Sequence, residues 1–211
     1  MNIPEKAMKT LLEICTKEAP FTCPRGRMYQ QIDGVAMGSP LGVLFANFFM
    51  GTIEEELLST NRPSIYCRYI DDTFVCVKDP QELQELRQRF ITSSGLNFNF
   101  EESTDGKLSF LDVMVTARSN GFETTVYTKP TNIGLCLNVM SECPNRYLRS
   151  TINAYIRRAL SHSTTWKATH AELDRLTQVL VNNGYSNSTI NSAINQHLQR
   201  WYEKEDSPQS T

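Results

Sequence analysis

The chain has 211 residues, a formal net charge of −2 and 40% hydrophobic residues. This length suits one large domain or two small ones with a buried core, and the composition is ordinary for a globular protein. No apolar run is long enough to span a membrane and no signal peptide precedes the six cysteines, so we expect a nuclear or cytoplasmic, non-secreted protein with reduced, mostly buried thiols.

The first predicted elements are a helix and a short strand. Apolar residues recur at helical spacing over residues 3–18. Residues 27–40 then predict a short strand that ends in a glycine-rich turn. Ser39 and Pro40 are suited to the N-cap and the first position of a second helix, which is predicted to end near residue 58.

This second helix is apolar nearly all round until it reaches three consecutive glutamates, Glu54–Glu56. A helix of this composition is typically buried on every side, so we expect it to lie inside the protein. Its aromatic side chains are better suited to a core than to a platform for stacking bases. They are Phe45, Phe48 and Phe49.

Two strands with a pair of carboxylates between them come next. Residues 64–70 and 73–78 are predicted strands, and Asp71 and Asp72 lie at their junction. Two adjacent like charges are costly to bury without partners, so this tip must face either water or a divalent cation. Mg²⁺ favours hard oxygen ligands such as carboxylates. The pair alone fits both a solvated turn and a metal site.

A helix and a second hairpin follow. Asp79 and Pro80 begin the helix, and Gly95 lies just past its end. Residues 96–102 alternate between apolar and polar side chains, which predicts a half-buried strand. Residues 107–130 predict a hairpin that turns at the sequence Ser-Asn-Gly.

The remainder of the chain is predicted to be helical. Three segments have helical periodicity, with Gly184 ending the second and Ser186 capping the third. The segments are 145–161, 166–183 and 187–203. The complete order of elements predicts an α+β fold with an antiparallel sheet and a helical appendage.

Charge is distributed unevenly between the two parts of the chain. Residues 1–128 contain 12 Lys or Arg and 17 Asp or Glu, whereas residues 129–211 contain 9 and 6. Between residues 129 and 167, six basic residues accompany a single acid, Glu142. This asymmetry indicates metal binding in the first part and phosphate binding in the second, although basic residues on a helix also suit a solvated face.

Several ordered motifs resemble those of reverse transcriptases, most closely those of Penelope-like retroelements. The motifs are YQQIDGVAMGSPLG, YIDDTFV, LSFLDVMV, VYTKPTN and NNGYS. The resemblance extends from about residue 2 to residue 190. It implies a reverse-transcriptase palm with an antiparallel sheet over residues 1–128, a helical thumb over residues 129–203, and a disordered tail over residues 204–211.

The resemblance also implies roles for individual residues. Asp71 and Asp72 match catalytic acids that bind two Mg²⁺ or Mn²⁺ ions, and Tyr69 matches an aromatic residue near the primer terminus. The turn beside the incoming dNTP and the RNA template corresponds to Gly38, Ser39 and Pro40. Met37 stands where many reverse transcriptases have Gln, so we assign it to packing. The thumb would hold the RNA template–DNA primer duplex through its phosphates, with candidate ligands Arg146, Arg149, Arg157 and Arg158.

One catalytic Asp of the family has no counterpart in this chain. The family carries it on a strand upstream of the glycine-proline motif, and the stretch at residues 1–4 resembles the segment that follows that strand. Asp33 precedes the glycine turn and is a candidate replacement, whereas Asp112 is better suited to a structural role. Two hypotheses therefore stand: an RNA-directed DNA polymerase fragment that performs two-metal nucleotidyl transfer, or an inactive retroelement remnant or nucleic-acid-binding module.

Overall fold

A computed structural model describes residues 3–18, 20–32, 34–36, 38–60 and 62–205. These residues form helices and small antiparallel sheets, so the mixed α+β class predicted from the sequence is confirmed at that level. The chain divides into two compact units, Met1–Asn99 and Phe100–Thr211. None of the described helices is both long enough and apolar enough to cross a membrane.

The first unit combines three helices with two hairpins. Its elements are α1 (Glu5–Lys17), β1 (Pro20–Thr22), β2 (Met28–Gln30), α2 (Pro40–Thr60), β3 (Ile65–Tyr69), β4 (Asp72–Cys76) and α3 (Pro80–Ser94). Strands β1 and β2 form one antiparallel pair, and β3 and β4 form another. The core joins α2 to α3 through Leu57 and Phe90, and Tyr66 and Val75 of the second hairpin pack against it.

Local capping signals fix the helix ends of this unit as predicted. Ser39 accepts a hydrogen bond from the backbone N–H of Leu41 at 3.3 Å, which is the geometry of an N-cap at the start of α2. The side chain of Asp79 accepts one from the backbone N–H of Glu82 at 2.9 Å and caps α3. Gly95 lies at the C-terminal end of α3.

The prediction that α2 is buried on all sides is wrong. Only its second half reaches the core, through Ile53 and Leu57. Phe48 is 66% exposed and Phe49 is 48% exposed, whereas Phe45 is partly buried. The physical reason is that α3 and the β3–β4 hairpin cover one side of the helix, and no described element of this unit covers the opposite side of its first turns.

The strand predicted over residues 96–102 does not form. These residues carry no regular secondary structure, because no neighbouring strand supplies hydrogen-bond partners for their backbone. Only Phe98 of this segment is partly buried, and its ring meets that of Phe90 edge to face at 6.0 Å. The alternation of side chains is therefore explained by one aromatic contact rather than by a sheet.

The second unit contains a three-stranded sheet and three helices. Its elements are β5 (Lys107–Phe110), β6 (Val113–Arg118), β7 (Gly121–Val126), α4 (Asn145–His162), α5 (Trp166–Asn182) and α6 (Asn187–Glu205). The predicted hairpin turn between β6 and β7 is present, but a second turn at Leu111 and Asp112 divides the first predicted strand in two. Helix α6 extends to Glu205, and the rest of the predicted tail lies outside the described residues.

The sheet of this unit is bonded to its helices. Strand β7 packs against α4 and α5, and Thr124 exchanges hydrogen bonds with Thr164 in the loop between these helices. The boundary between the compact units falls at residues 99 and 100, ahead of the sheet. The palm that the resemblance implies over residues 1–128 stays a prediction.

The three helices share one apolar core. Fully buried side chains from each helix meet in it, among them Ile156 of α4, Leu176 and Leu180 of α5 and Ile190 of α6. The side chain of Ser186 accepts a hydrogen bond from the backbone N–H of Thr189 at 3.2 Å and caps α6, as predicted. The helices therefore form a bundle that does not depend on the first unit for its core.

Asn183 fastens the turn between α5 and α6 to the loop that precedes α4. Its buried side-chain amide donates to the backbone carbonyl groups of Gly134 and Val179 at 2.9 and 2.8 Å, and its side-chain oxygen accepts from the backbone N–H of Cys136 at 3.2 Å. Gly184 follows with φ 90°, a conformation that strongly favours glycine. The Asn-Gly pair is therefore part of the structure that joins loop and helices.

We expect the substitution Asn183→Ala to lower the free energy of unfolding of the second unit by about 2–3 kcal/mol, because it leaves buried backbone groups without partners. Asn182 supplies a matched control, since this exposed neighbour bonds only to the side chain of Gln178 among the described contacts. Asn182→Ala should change stability by less than about 0.5 kcal/mol. Urea unfolding followed by circular dichroism measures both, and equal effects would contradict the role of Asn183.

All six cysteines are free thiols in the structure. Cys15 and Cys67 are exposed, and the other four are partly buried. The expectation that most of the thiols are buried is therefore wrong, although none is bonded to another.

Candidate functional site

The two carboxylates lie at the tip of a tight hairpin. Tyr69 pairs with Asp72 in the antiparallel register, which leaves Ile70 and Asp71 as a two-residue turn. Ile70 has φ 56°, a left-handed conformation that costs a β-branched residue about 1–3 kcal/mol. Surrounding contacts must therefore hold this turn in place.

Arg68 supplies those contacts. Its guanidinium binds both carboxylate oxygens of Glu54 in α2, and one of its nitrogens donates to the side-chain oxygen of Asn47 at 2.9 Å. The same nitrogen donates to the backbone carbonyl of Ile70 at 2.9 Å. The side chains of Arg68 and Glu54 are only 14% and 15% exposed. A shielded ion pair therefore anchors the hairpin tip to the helix.

Tyr66 completes this polar network on the same face of the hairpin. Its hydroxyl donates to Glu54 at 2.6 Å, and its ring stacks on Phe90 at 6.0 Å. Burial, together with the hydrogen bond and the negative charge of Glu54, holds the pKa of Tyr66 well above its ordinary value. Tyr66 therefore remains a neutral hydrogen-bond donor and serves the fold rather than proton transfer.

The opposite face of the hairpin carries the candidate catalytic side chains. Tyr69 and Asp72 are cross-strand partners, so their side chains share this face. Tyr69, Asp71 and Asp72 are all exposed, and neither carboxylate forms an ion pair or hydrogen bond within the described ranges. The tip thus presents two free carboxylates next to an exposed aromatic ring.

These carboxylates fit only part of a two-ion metal site. Within the part of the chain that the structure describes, no group of three or more His, Cys, Asp or Glu side chains is placed to hold a metal. Two magnesium ions normally require more protein carboxylates than the hairpin alone provides. The described residues place no third such side chain beside the pair, and the candidate Asp33 lies outside them.

The glycine-proline turn lies toward the same end of the unit as the acid tip. Along β3, Tyr66 and Arg68 contact Glu54, and the tip reaches Asn47, so the hairpin runs toward the N-terminus of α2. Seven residues of helix separate Asn47 from Pro40, or about 10 Å of rise. Gly38 precedes the helix with φ 86°, as a glycine turn requires. Met37 lies outside the described residues.

A second turn has the same construction but a different environment. Leu111 has φ 54° and precedes Asp112, just as Ile70 precedes Asp71. Asp112 pairs with Arg158 at 3.3 Å, and its backbone carbonyl accepts from the N–H of Tyr127 at 2.8 Å. Turn geometry alone therefore does not mark a metal site, and what distinguishes Asp71 is a carboxylate without a partner.

The four arginines predicted to bind phosphate divide into two groups. Arg146, Arg149 and Arg157 are exposed. Arg158 is partly buried, and it donates to the backbone carbonyl of Tyr127 at 2.6 Å in addition to its ion pair with Asp112. Arg158 therefore joins α4 to the sheet, whereas the other three remain accessible to a ligand.

A further basic group lies where α4 approaches α6. The His197 ring bonds to the side chain of Asn153 at 3.0 Å. Burial, and then the positive charges of Arg200 and Arg157, lowers the pKa of His197 below its ordinary value. Arg157 of α4 and Arg200 of α6 therefore both lie near this histidine, on two different helices.

We expect Asp71 and Asp72 to bind Mn²⁺ weakly in this chain, because two carboxylates offer few ligands. Paramagnetic broadening of amide signals during an Mn²⁺ titration should centre on residues 69–73 and disappear in Asp71→Asn. Asp112→Asn is the matched control, since its carboxylate occupies the same turn position but is already paired. Broadening centred elsewhere and unchanged in Asp71→Asn would contradict the assignment.

A comparison with protein-family models finds one similarity. Residues 135–195 match the animal helix-turn-helix domain. The match covers less than a third of the chain and includes α4, α5 and the first half of α6. It also includes most of the loop that Asn183 fastens to these helices. The searches of curated proteins and of solved structures found no match.

Sequence reasoning missed several residues that organise these regions. Arg68 was not assigned a role. The sequence nevertheless shows that Arg68 lies two residues after Tyr66 on a predicted strand, and that α2 carries acidic residues near its end. Arg200 was missed because the histidine whose pKa it lowers is buried by contact with a helix more than forty residues earlier. The role of Asn183 was also missed, since an Asn-Gly pair after a helix predicts a turn but not the loop that it binds.

Proposed function

We propose that this chain is part of an RNA-directed DNA polymerase in which the helical unit binds the nucleic-acid duplex and the acid hairpin contributes metal-binding carboxylates. The observation that carries the proposal is the hairpin tip, where Asp71 and Asp72 are free of partners while Arg68 fixes the turn. Two adjacent like charges without protein partners must face water or a cation, and in this proposal they face a cation.

The helical unit supports the nucleic-acid part of the proposal. The matched helix-turn-helix domain is named for a motif that binds DNA in many proteins. Helix α4 contains four arginines and no carboxylate, and three of these arginines are exposed. An exposed cationic surface free of acids attracts the phosphate backbone without reading sequence.

A second function is favoured by the small number of metal ligands. If no further acid joins Asp71 and Asp72, the chain is a non-catalytic nucleic-acid-binding module or an inactive retroelement remnant. The two proposals share duplex binding and differ only in whether a further carboxylate completes the hairpin site.

The test of the shared proposal is duplex binding by the full chain. We expect a fluorescently labelled RNA–DNA hybrid to bind at 50 mM salt, with an affinity that weakens when Arg146, Arg149 and Arg157 are replaced together by Ala. Replacement of Arg118, Arg175 and Lys107 by Ala in the second unit supplies a control with an equal change in charge. No binding at low salt, or equal loss in both variants, would contradict the proposed surface.

A further inference from the structure

The β1–β2 hairpin displays two stacked aromatic rings. Phe21 of β1 and Tyr29 of β2 are direct cross-strand partners, so their side chains share one face of the hairpin. Their ring centroids lie 5.9 Å apart, with 23° between the ring planes. All six residues of the two strands are exposed, and the two aromatic residues keep 52% and 46% of their surface accessible. The pair therefore stabilises the hairpin and still leaves ring surface open to a ligand.

The turn of this hairpin carries two arginines. Gly26 donates its backbone N–H to the carbonyl of Cys23 at 2.8 Å, and its φ of 76° suits the left-handed residue that closes a three-residue hairpin loop. Arg25 lies within this loop, and Arg27 follows it. Both arginines are exposed, and neither forms an ion pair or side-chain hydrogen bond within the described stretches of the chain. The loop therefore presents two free guanidinium groups from a defined turn.

One of these arginines shares the face of the two rings. The backbone N–H of Cys23 donates to the carbonyl of Arg27 at 3.0 Å, so the antiparallel register continues one pair beyond the strands. Side chains alternate along an extended chain, which places Arg27 on the same side as Tyr29 and about 7 Å from it along the chain. No Asp or Glu occurs between Glu18 and Asp33. The face therefore combines open aromatic surface with uncompensated positive charge.

This combination suits a nucleic acid with unpaired bases. A base stacks its flat surface on an aromatic ring, and the phosphates along its backbone bind guanidinium groups. In a duplex each base is already stacked between its neighbours, whereas a single strand offers base surface to a protein. A purely apolar partner would cover the rings but leave the two arginines without counter-charges. Phosphates supply those charges, so charge complementarity favours the nucleic acid.

We propose that the β1–β2 hairpin binds single-stranded nucleic acid, with bases stacked on Phe21 and Tyr29 and the phosphate backbone bound by Arg25 and Arg27. The ligand is defined by its unpaired bases and not by a sequence, because every base has a flat surface. This inference goes beyond the proposed function, since the hairpin belongs to the first unit and duplex binding is assigned to the second.

The test compares two fluorescently labelled DNA single strands of equal length, one ordinary and one with abasic sites in place of its bases. The two strands carry the same phosphates, so their affinity ratio isolates the contribution of the bases. We expect the full chain to bind the ordinary strand about tenfold more tightly. The double substitution Phe21→Leu and Tyr29→Leu should bring this ratio near one, because leucine is apolar but has no ring. Tyr29→Phe keeps the ring and should retain the ratio.

A second aromatic pair supplies the matched control. Trp166 and Tyr202 of the second unit stack at 5.7 Å and are also about half exposed, but Tyr202 is followed by an acid, Glu203. Tyr202→Leu should therefore retain the ratio. Replacement of Arg25 and Arg27 by Ala should weaken binding of both strands by a similar factor, and should reduce the magnitude of the salt slope by about 1.4.

Equal affinity for the two strands, or a ratio that survives the double leucine substitution, would overturn base stacking on the hairpin. Photocrosslinking tests the unaltered chain, so the result does not depend on whether a variant folds. A single strand that contains iodouracil should crosslink at Phe21 or Tyr29, and crosslinks confined to other residues would also overturn the proposal. Base-dependent binding of single strands without any binding of duplex would support this inference and contradict the proposed function of the helical unit.

Discussion

Incubated with a DNA primer on an RNA template, dNTPs and Mg²⁺, the 211-residue chain is expected to extend the primer about a thousandfold more slowly than the same chain joined to an upstream strand that carries the further catalytic Asp of reverse transcriptases. Asp71 and Asp72 lie on one hairpin, and the described residues add no third metal ligand to them. Polymerase chemistry depends on charge stabilisation and positioning at the reacting phosphate, and a missing carboxylate removes part of both.

The variant Asp71→Asn in the joined chain identifies the site. It should abolish extension, whereas Asp112→Asn should leave the rate within about twofold because that carboxylate bonds within the fold. Extension by the 211-residue chain alone that disappears in Asp71→Asn would contradict this prediction. In that case an acid within the chain, with Asp33 the first candidate, completes the site.

The second large effect is a difference between the variants of two neighbouring arginines, one of which should lose duplex affinity and the other stability. Arg157→Ala should weaken duplex binding about tenfold at low salt, because it removes an exposed charge from the phosphate surface. Arg158→Ala should leave affinity unchanged and instead lower the free energy of unfolding by about 1–2 kcal/mol, since its hydrogen bond to Tyr127 is lost. Anisotropy titrations and urea unfolding of both variants measure the two effects.

The two arginines therefore test the structural assignment directly, since they are adjacent in sequence and carry the same charge. Equal losses of affinity in the two variants, with no loss of stability in Arg158→Ala, would place both side chains on the ligand surface. That result would contradict the packing of Arg158 between α4 and the sheet.

The fold was predictable where local signals decide it. Ser39, Asp79, Gly95 and Ser186 mark helix ends through capping groups that act within a few residues, and the structure places each of them there. The alternation in β3 and β4 likewise predicts the acid hairpin. Such signals depend on neighbouring residues alone, so a single sequence contains them.

Burial and pairing were not predictable in the same way, because they depend on distant segments. The apolar start of α2 predicts a buried helix, yet Phe48 is exposed because no described element of its unit covers it. Residues 96–102 alternate like a strand but have no neighbour to pair with. The hidden turn at Leu111 was missed because leucine is not a typical turn residue.

The chemistry of the candidate site was predictable from the sequence, but the contacts that hold its turn in place were not. The pair Asp71 and Asp72 stands out in the sequence, whereas the ion pair that holds their turn joins Arg68 to a helix fourteen residues earlier. The residues of the proposed phosphate-binding surface were likewise predictable only in part. Charge counting selects Arg157 and Arg158 equally, and only tertiary contacts separate the exposed side chain from the one that stabilises the fold.

The most direct test of nucleic-acid binding, the central claim, is the salt dependence of duplex affinity for the full chain. If three exposed arginines contact phosphates, the logarithm of the affinity should fall with the logarithm of the salt concentration with a slope of about −2.7, or roughly fortyfold between 50 and 200 mM. Arg157→Ala should reduce the magnitude of that slope by about one. An affinity that does not change with salt, or no binding at 50 mM, would contradict the account.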